Sequence, residues 1–530
     1  MLDTTSPFHM IKYGVLAALF KATIAAPGLS YNGLAQTPQM GWVRPATQCT
    51  PKSIYQPYFL AGAFPVPTRP GSHLLSPTRK DTYNAYGLAY NETTILTNAE
   101  HLVTLGFRDL GYRVVIFDDA MTERDRSSDG SLVENRSKFP SGLANIVDRL
   151  HSDGLYFGVY SSAGKFTCGG YPASLGYEET DAEWWASLGA DYLKYDNCYN
   201  EGLSGTPKLS QDRYAAMSNA LNTTGRQFVY SLCNWGDDKP WEWASTIANS
   251  ARMSGDIQDS FSMPTTSCPC GPEEYYCQLP GYGCSVMNIL GKASHIVSKN
   301  QPGYFNDLDM LEVGNGGMDY EEYKLHFSMW AAIKSPLIMG NKLDKLSPED
   351  YAILINPAVL AISQDPSGSA IQRRARVEVD DRDQYGVGEI QVWSGSLANG
   401  DQVVAFLNAG NSSRTMEFSL VDVFGGLRTN ENAQKNWDLF DVWGNETVMS
   451  NDVASRVLNG TLDVGNATGY YNATERSWAQ GLNQSETLLF GTPVGGVEAG
   501  GSLSAEVPRH GIQMWRLREV ESGMRKRDEL

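Results

Sequence analysis

Two hydrophobic periods divide the chain. From about residue 90 to 342, apolar residues at helix spacing alternate with short, wholly apolar runs. Ile95, Ala99, Leu102 and Val103 fall on one helical face, and 114–117 follows as a run short enough for a strand buried on both faces. Leu143, Ile146, Val147 and Leu150 repeat the helical spacing, Gly154 stops it, and 156–160 is the next strand. Trp184–Leu188 lies in a further helix, which Gly189 ends before the strand 192–195. Further strands are expected at 39–42, 228–232, 252–254, 304–305 and 336–339. Eight strands with helices between them predict an α/β fold, a parallel (β/α)8 TIM barrel.

After about residue 365 the pattern becomes short strands between Gly, Asn and Ser turns. Ile390, Val392, 403–407, 416–420, 439–442 and 512–517 read as an antiparallel β-sandwich without convincing helices. Residues 445–501 are polar, glycine-rich and rich in N-x-S/T sequons, and are expected as loops on that sandwich. The expected division is a signal peptide over 1–26, a barrel over 27–363, a C-terminal β-sandwich over 364–518 and a tail over 519–530.

Composition changes this picture mainly by placing the protein. A net charge of −18 argues against nucleic acid or an anionic membrane as partner. Lys12, the apolar run 13–20 and the small residues 22–26 resemble a signal peptide cleaved near Ala26, with Met10 an alternative start. Sequons at Asn91, Asn135, Asn222, Asn411, Asn445, Asn459, Asn466, Asn472 and Asn483 predict glycosylation during secretion. Eight cysteines, four of them within 268–284, suit disulfides in an oxidising compartment. They lack the paired C-x-x-C spacing and histidines of a zinc site, so no metal is expected. The terminal Arg527-Asp528-Glu529-Leu530 matches ER-retrieval tetrapeptides, which sets retention beside secretion as a destination.

Residues 43–80 interrupt the pattern. They are rich in Pro, Ser and Thr, carry neither period, and separate Trp42 from Asp81-Thr82-Tyr83-Asn84. A surface loop is one explanation. The other, preferred here, is a retained intron: Val43-Arg44 can be encoded GTACGT, Lys80 can be AAG, and 38 codons keep the frame.

Side chains just past the C-terminal ends of barrel strands line the mouth of such a fold. Those positions hold Asp118, Asp119, Tyr160, Lys194, Asp196, Asn234, Trp235, Arg252, Asp256, Asp307 and Asp309. Carboxylates bind sugar hydroxyls and aromatic faces bind the C–H side of a sugar ring, so this ring of acids suits a saccharide. Helix capping, or pairing with Lys194 and Arg252, is the structural alternative for any single acid. Cleavage with retention needs two carboxyls roughly 5–5.5 Å apart, one nucleophilic and one acid/base. Asp196 follows Lys194 by two positions on one side of a strand, where an ammonium is expected to lower its pKa. Asp256, beside Gly255 and after Arg252, is the candidate acid, although sequence alone does not prove the division of roles.

Here the motifs become specific. Tyr192-Leu193-Lys194-Tyr195-Asp196-Asn197-Cys198, Arg252-Met253-Ser254-Gly255-Asp256-Ile257 and Asn306-Asp307-Leu308-Asp309-Met310-Leu311 resemble glycoside hydrolase family 27, the α-galactosidases or melibiases, especially the fungal members. The resemblance covers about 29–42 and 81–518. It implies a barrel with a C-terminal sandwich, retention by double displacement, α-galactoside oligosaccharides or polysaccharides as substrates, and no cofactor. By position, Asp196 matches the nucleophile and Asp256 the acid/base. Asp118 and Asp119 match ligands of the galactose O4 and O6 hydroxyls, and Lys194 and Arg252 match further sugar ligands. Tyr160 and Asp309 match residues near the nucleophile, and Cys168 with Cys198 matches a disulfide beside the pocket.

The chain departs from the family where Asp118-Asp119-Ala120-Met121 replaces the usual D-D-C-W. Removing 43–80 joins Met40-Gly41-Trp42 to Asp81-Thr82-Tyr83-Asn84, close to the family's M-G-W-N-[ST]-[WY]-N, with Trp42 and Tyr83 as pocket aromatics. An α-N-acetylgalactosaminidase needs small residues after the fifth strand, where this chain has Cys233-Asn234-Trp235-Gly236. A β-L-arabinopyranosidase has no O6 to hold, against the presence of both Asp118 and Asp119. A catalytically impaired carbohydrate-binding protein is the alternative from another class.

Overall fold

The computed structural model describes residues 32–43, 87–263, 284–426 and 429–520. The signal peptide, Tyr83, all but Val43 of the segment 43–80, Cys268, Cys270, Cys277 and the tail beyond 520 lie outside them.

Eight parallel strands form the first unit: β1 Met40–Val43, β2 Val114–Ile116, β3 Tyr156–Ser162, β4 Tyr192–Asp196, β5 Val229–Cys233, β6 Ser250–Arg252, β7 Phe305–Asp307 and β8 Leu337–Met339. Each lies within two residues of its predicted place. Neighbours pair in the order β7-β6-β5-β4-β3-β2-β1-β8. A bridge between Leu311 and Met339, with the Leu311 N–H on the Ile338 carbonyl at 2.8 Å, joins the two edges. Most strand residues are fully buried, as expected where helices cover the outside and side chains fill the inside.

Local chemistry sets the helices between the strands. Helix Glu178–Leu188 stops at Gly189, whose φ of 85° suits a residue without a Cβ. Pro207 opens helix Pro207–Thr223 behind the N-cap Thr206. Asp319 and Glu322 form a reciprocal capping box at the start of helix Tyr320–Ile333.

The second unit contains β9 Gln372–Glu378, β10 Glu389–Ser396, β11 Gln402–Asn408, β12 Arg414–Ser419, β13 Trp437–Asp441, β14 Thr492–Val497, β15 Ser502–Val507 and β16 Gly511–Glu519. A six-stranded antiparallel sheet, ordered β14-β13-β16-β11-β10-β9, lies with the β12–β15 pair around a core that includes Phe406, Met416, Trp437 and Trp515. The sandwich expected from the strand pattern is therefore present. The strands β9, β14 and β15 were not anticipated: β9 is mostly charged and β14 is glycine-containing and exposed, while the alternation of Leu503, Ala505 and Val507 in β15 was overlooked beside the stretch read as loops.

One expectation fails. Residues 445–491 are not loops on the sandwich: they include helices Asn451–Leu458 and Trp478–Asn483. Ala454, Val457, Tyr471 and Leu482 belong to the same apolar cluster as the barrel. Tyr470 Oη donates to the Gly106 carbonyl at 2.8 Å, and the Ala473 N–H to the Asp109 carbonyl at 2.9 Å. Enough apolar residues recur among the sequons to form one buried face, and the barrel supplies the surface that covers it.

The nine sequon asparagines differ in access. Asn91, Asn222, Asn411, Asn445, Asn459, Asn466 and Asn483 are exposed and Asn472 is half-buried, but Asn135 is buried. The Asn135 Oδ1 accepts from Ser137 and from the Lys138 N–H, so this sequon is folded into a turn. Among the described residues no helix is long and apolar enough to cross a membrane.

Candidate active site

Asp196 is the last residue of β4, opposite Ser162 of β3 and Cys233 of β5 in register. Tyr160 donates its hydroxyl to Asp196 Oδ2 at 2.9 Å, and the Asn197 N–H donates to Oδ1 at 2.9 Å. Behind it, Tyr214 Oη donates to the Asp196 carbonyl at 3.1 Å. Both ends of the nucleophile candidate are thus fixed by neighbours that a strand end alone would not provide.

Its charge balance corrects the sequence expectation. Burial pushes the Asp196 carboxyl up to about 6, Lys194 opposes this, and Asp256 pushes it up further. The ammonium two residues away does not win because its direct partner is another acid. Lys194 Nζ donates to Asp118 Oδ2 at 2.8 Å. Burial works against the Lys194 ammonium too, but Asp118, Cys233 and Asp196 together hold it protonated well above the ordinary lysine range.

β6 ends at Arg252, two residues earlier than its apolar run suggests, and leaves Asp256 on the following loop. Arg252 is the hub there. Its guanidinium lies 3.0 Å from Asp256 Oδ1 and 2.7 Å from Asp309 Oδ2, and Nη1 lies 3.6 Å from Cys233 Sγ. Asp309, at φ 80°, also accepts from the Ile257 N–H at 2.8 Å, which ties the loop after β7 to the loop that carries Asp256. Burial raises the carboxyls of Asp307 (to about 6) and Asp309 against the pull of Arg252. The pairing alternative thus holds for Asp118, Asp256 and Asp309. It does not remove them from the site, because sugar hydroxyls can bind carboxylates that are already held in place.

Two cavities lie among the neighbours of Asp196 and Asp256, although neither carboxyl lines them. One is lined by Tyr192, Lys194, Cys233, Arg252, Asp307 and Asp309, with Ile116, Met310 and Ile338 as apolar wall. The other is lined by Asp118, Asp119, Ala120, Met121, Tyr160 and Thr167. Ala120 and Met121, the departures from the family pattern, therefore face the second cavity.

The remaining candidates lie nearby or deeper. The Cys168–Cys198 disulfide is present, and Trp235 packs with it and with the free, buried thiol of Cys233. Both disulfide sulfurs lie within 4.8 Å of an Asp196 carboxylate oxygen; their mutual bond leaves no thiolate to offer a metal. Asn234 is fully buried, with Nδ2 on the Asp237 carbonyl at 2.7 Å and no protein partner for Oδ1 among the described residues. Trp42 is also fully buried, its indole N–H on the Asn341 carbonyl at 3.0 Å, as part of the barrel core. Cys284 is disulfide-bonded as well.

Sequence reading missed a polar chain behind Asp196. Arg213 donates to Asn197 Oδ1 at 2.6 Å and to the Ala163 carbonyl at 2.7 Å, while Asn197 Nδ2 donates to Asp237 Oδ2 at 3.0 Å. Burial pushes the Asp237 carboxyl up to about 7. Arg213 lies on a helix and Asp237 on a loop, so no local spacing connects them.

A (β/α)8 barrel with carboxyls gathered at its strand ends, and a β-sandwich packed beside it, defines a glycoside hydrolase of the barrel class. Residues 81–266 and 275–365 match the family model "Alpha galactosidase A", and 387–462 match "Alpha galactosidase C-terminal beta sandwich domain". The chain belongs to the α-galactosidase (melibiase) family. The α-galactosidase of Zygotorulaspora mrakii is 45% identical over 490 residues, 92% of this chain and 95% of its own. The solved α-galactosidase of Saccharomyces cerevisiae is 43% identical with a TM-score of 0.83, covering 93% of this chain and all of its own; that of the same organism with raffinose scores alike.

Proposed function

We propose that this protein is a secreted, retaining, exo-acting α-galactosidase that removes terminal α-D-galactose from melibiose, raffinose-type sugars and galactomannan. The observation that carries the reading is the pair formed by the last residue of β4 and a carboxyl on the loop after β6. Asp196 is buried and aimed by two hydrogen bonds, and Asp256 is half-exposed and close enough to raise the Asp196 pKa. The relatives' names, and a relative solved with raffinose, support the substrate class.

The Asp196 carboxylate attacks the anomeric carbon while Asp256 gives its proton to the glycosidic oxygen, and the aglycone leaves. A glycosyl-aspartate ester remains. Asp256, now a carboxylate, takes a proton from water; that oxygen attacks the anomeric carbon from the side the aglycone left, and Asp196 departs. Two inversions give net retention. Asp118 and Asp119 hold the O4 and O6 hydroxyls, and Lys194 and Arg252 contribute further sugar contacts. The bulk of Trp235 after β5, where an acetamido sugar calls for small residues, favours galactose.

Residues 43–80 fit this reading best as a retained intron. The family match begins at Asp81, the first residue after the segment. Val43 closes β1 opposite Ile116, so the segment begins at the end of the first barrel strand.

The deciding experiment is hydrolysis of p-nitrophenyl α-D-galactoside by the full chain and by the chain lacking 43–80, with the N-acetylgalactosaminide as control and transcript sequencing beside it. Galactoside cleavage confirms the activity, and cleavage confined to the shorter chain supports the intron. Equal activity in both chains makes the segment a tolerated loop. A folded short chain that cleaves neither substrate overturns the functional reading.

A further inference from the structure

Asp119 follows β2 and is almost fully buried. Its Oδ1 accepts from the Thr167 hydroxyl at 2.7 Å and from the Ala120 N–H at 2.8 Å, and its Oδ2 accepts from the Gly169 N–H at 2.5 Å. Two of these donors are far away in sequence and flank one residue, Cys168. That residue is bonded to Cys198, two positions beyond Asp196. Thr167 and Gly169 therefore hold the Asp119 carboxylate by both oxygens, and the residue between them is tied covalently to the segment that follows β4.

The loop is built for this contact. Phe166 bridges to Pro172, the Thr167 N–H donates to the Tyr171 carbonyl at 2.8 Å, and the Tyr171 N–H returns to Thr167 Oγ1 at 3.0 Å. Thr167 is buried, so its hydroxyl is held between an acceptor carboxylate and a donor amide. A Cβ on Gly169 would come within 2.7 Å of Asp119 Oδ2, so only glycine brings its N–H this close. The disulfide sulfurs lie within 4.8 Å of the Asp196 carboxylate, so a shift of the loop would be felt at both carboxylates.

We infer that Thr167 and Gly169, tied down by the Cys168–Cys198 disulfide, are positioning residues for Asp119 and set the enzyme's selectivity for the galactose hydroxyl that Asp119 holds. This rests on the reading that Asp119 is a hydroxyl ligand. Thr167 and Gly169 touch no substrate in this scheme; they act by fixing where the carboxylate oxygens point. Breaking the disulfide frees the loop and loosens recognition.

The test compares kcat/KM for p-nitrophenyl α-D-galactoside with its 6-deoxy and 4-deoxy analogues, in Asp119→Asn, Thr167→Val, Thr167→Ser and the double variant Cys168→Ser/Cys198→Ser. Asp119→Asn is expected to lower discrimination against at least one analogue. Thr167→Val should lower the same ratio about tenfold, as for loss of one hydrogen bond to a charged group. Thr167→Ser should keep it within about twofold, and the double variant should fall between. An unchanged ratio in Thr167→Val, or an equal loss in Thr167→Ser, overturns the positioning role while Asp119 keeps its own. Where Thr167→Val does not fold, the double variant decides: an unchanged ratio there overturns the inference. If Asp119→Asn changes neither ratio, Asp119 is not a hydroxyl ligand and the inference fails with it.

Discussion

At the end of β4, Asp196 is 3% exposed, sits within a five-residue strand paired on both sides, and is hydrogen-bonded through both carboxylate oxygens. Beyond β6, a strand of three residues, the Asp256 side chain is 27% exposed, lies four residues past the strand, and is met by Arg252. The same residue type is held in two ways, and the difference suits the two tasks proposed for the pair. A nucleophile works only if it is aimed, and rigid neighbours supply the aim before substrate arrives. An acid/base must also exchange its proton with a leaving group and with water, which full enclosure would prevent.

The largest effect that tests this contrast is at the closed end. Asp196→Ala is expected to lower turnover by at least about four orders of magnitude, with azide restoring part of it as the inverted galactosyl azide. Asp196→Asn gives a second reading of the same site. Burial raises the folded-state pKa from 3.8 to about 6, so the fold prefers the neutral acid. Stability is then fully present below about pH 4, falls as pH rises towards 6, and stays reduced above it. An amide imitates the neutral acid, so the variant should gain on the order of 3 kcal/mol at pH 7 and nothing at pH 3. Thermal melts at both pH values check it; equal stability at pH 7 would mean that the carboxylate is not held against burial.

A smaller effect is expected at the open end. Asp256→Ala should slow raffinose by roughly 10³-fold but p-nitrophenyl galactoside far less, because a good leaving group needs no proton. Equal losses on both substrates would remove the acid role and with it the contrast.

The smallest effect sharpens the comparison. Tyr160→Phe removes one donor from the Asp196 carboxylate and should cost about tenfold in kcat/KM. Because that donor favours the charged form, its loss raises the Asp196 pKa and moves the acid limb of the pH profile upward. An unmoved limb would mean that Tyr160 packs against Asp196 without holding its charge.

How much of this was legible in sequence follows the range of each interaction. The barrel strands were readable because a strand buried on both faces is a short apolar run whatever surrounds it. Asp196 and Asp256, the pair proposed as catalytic, stood out in sequence through motifs that keep them beside their strand-end neighbours. Residues 445–491 were misread because sequons dominate their composition, while the surface that covers their apolar face lies hundreds of residues earlier. Arg213 and Asp237 went unseen for a related reason: a helix residue and a loop residue are joined through Asn197, which no local spacing reports.

By itself, then, the sequence determined the alternation of elements, the two-unit plan and the identity of the carboxyls at the strand ends, since these depend on neighbours along the chain. Tertiary structure alone decided the state of those carboxyls. Lys194 is two residues from Asp196 yet is spent on Asp118, 76 residues away, and burial then sets the Asp196 pKa. Charge and solvation are summed over everything nearby in space, and spacing along a strand reports only a small part of that sum.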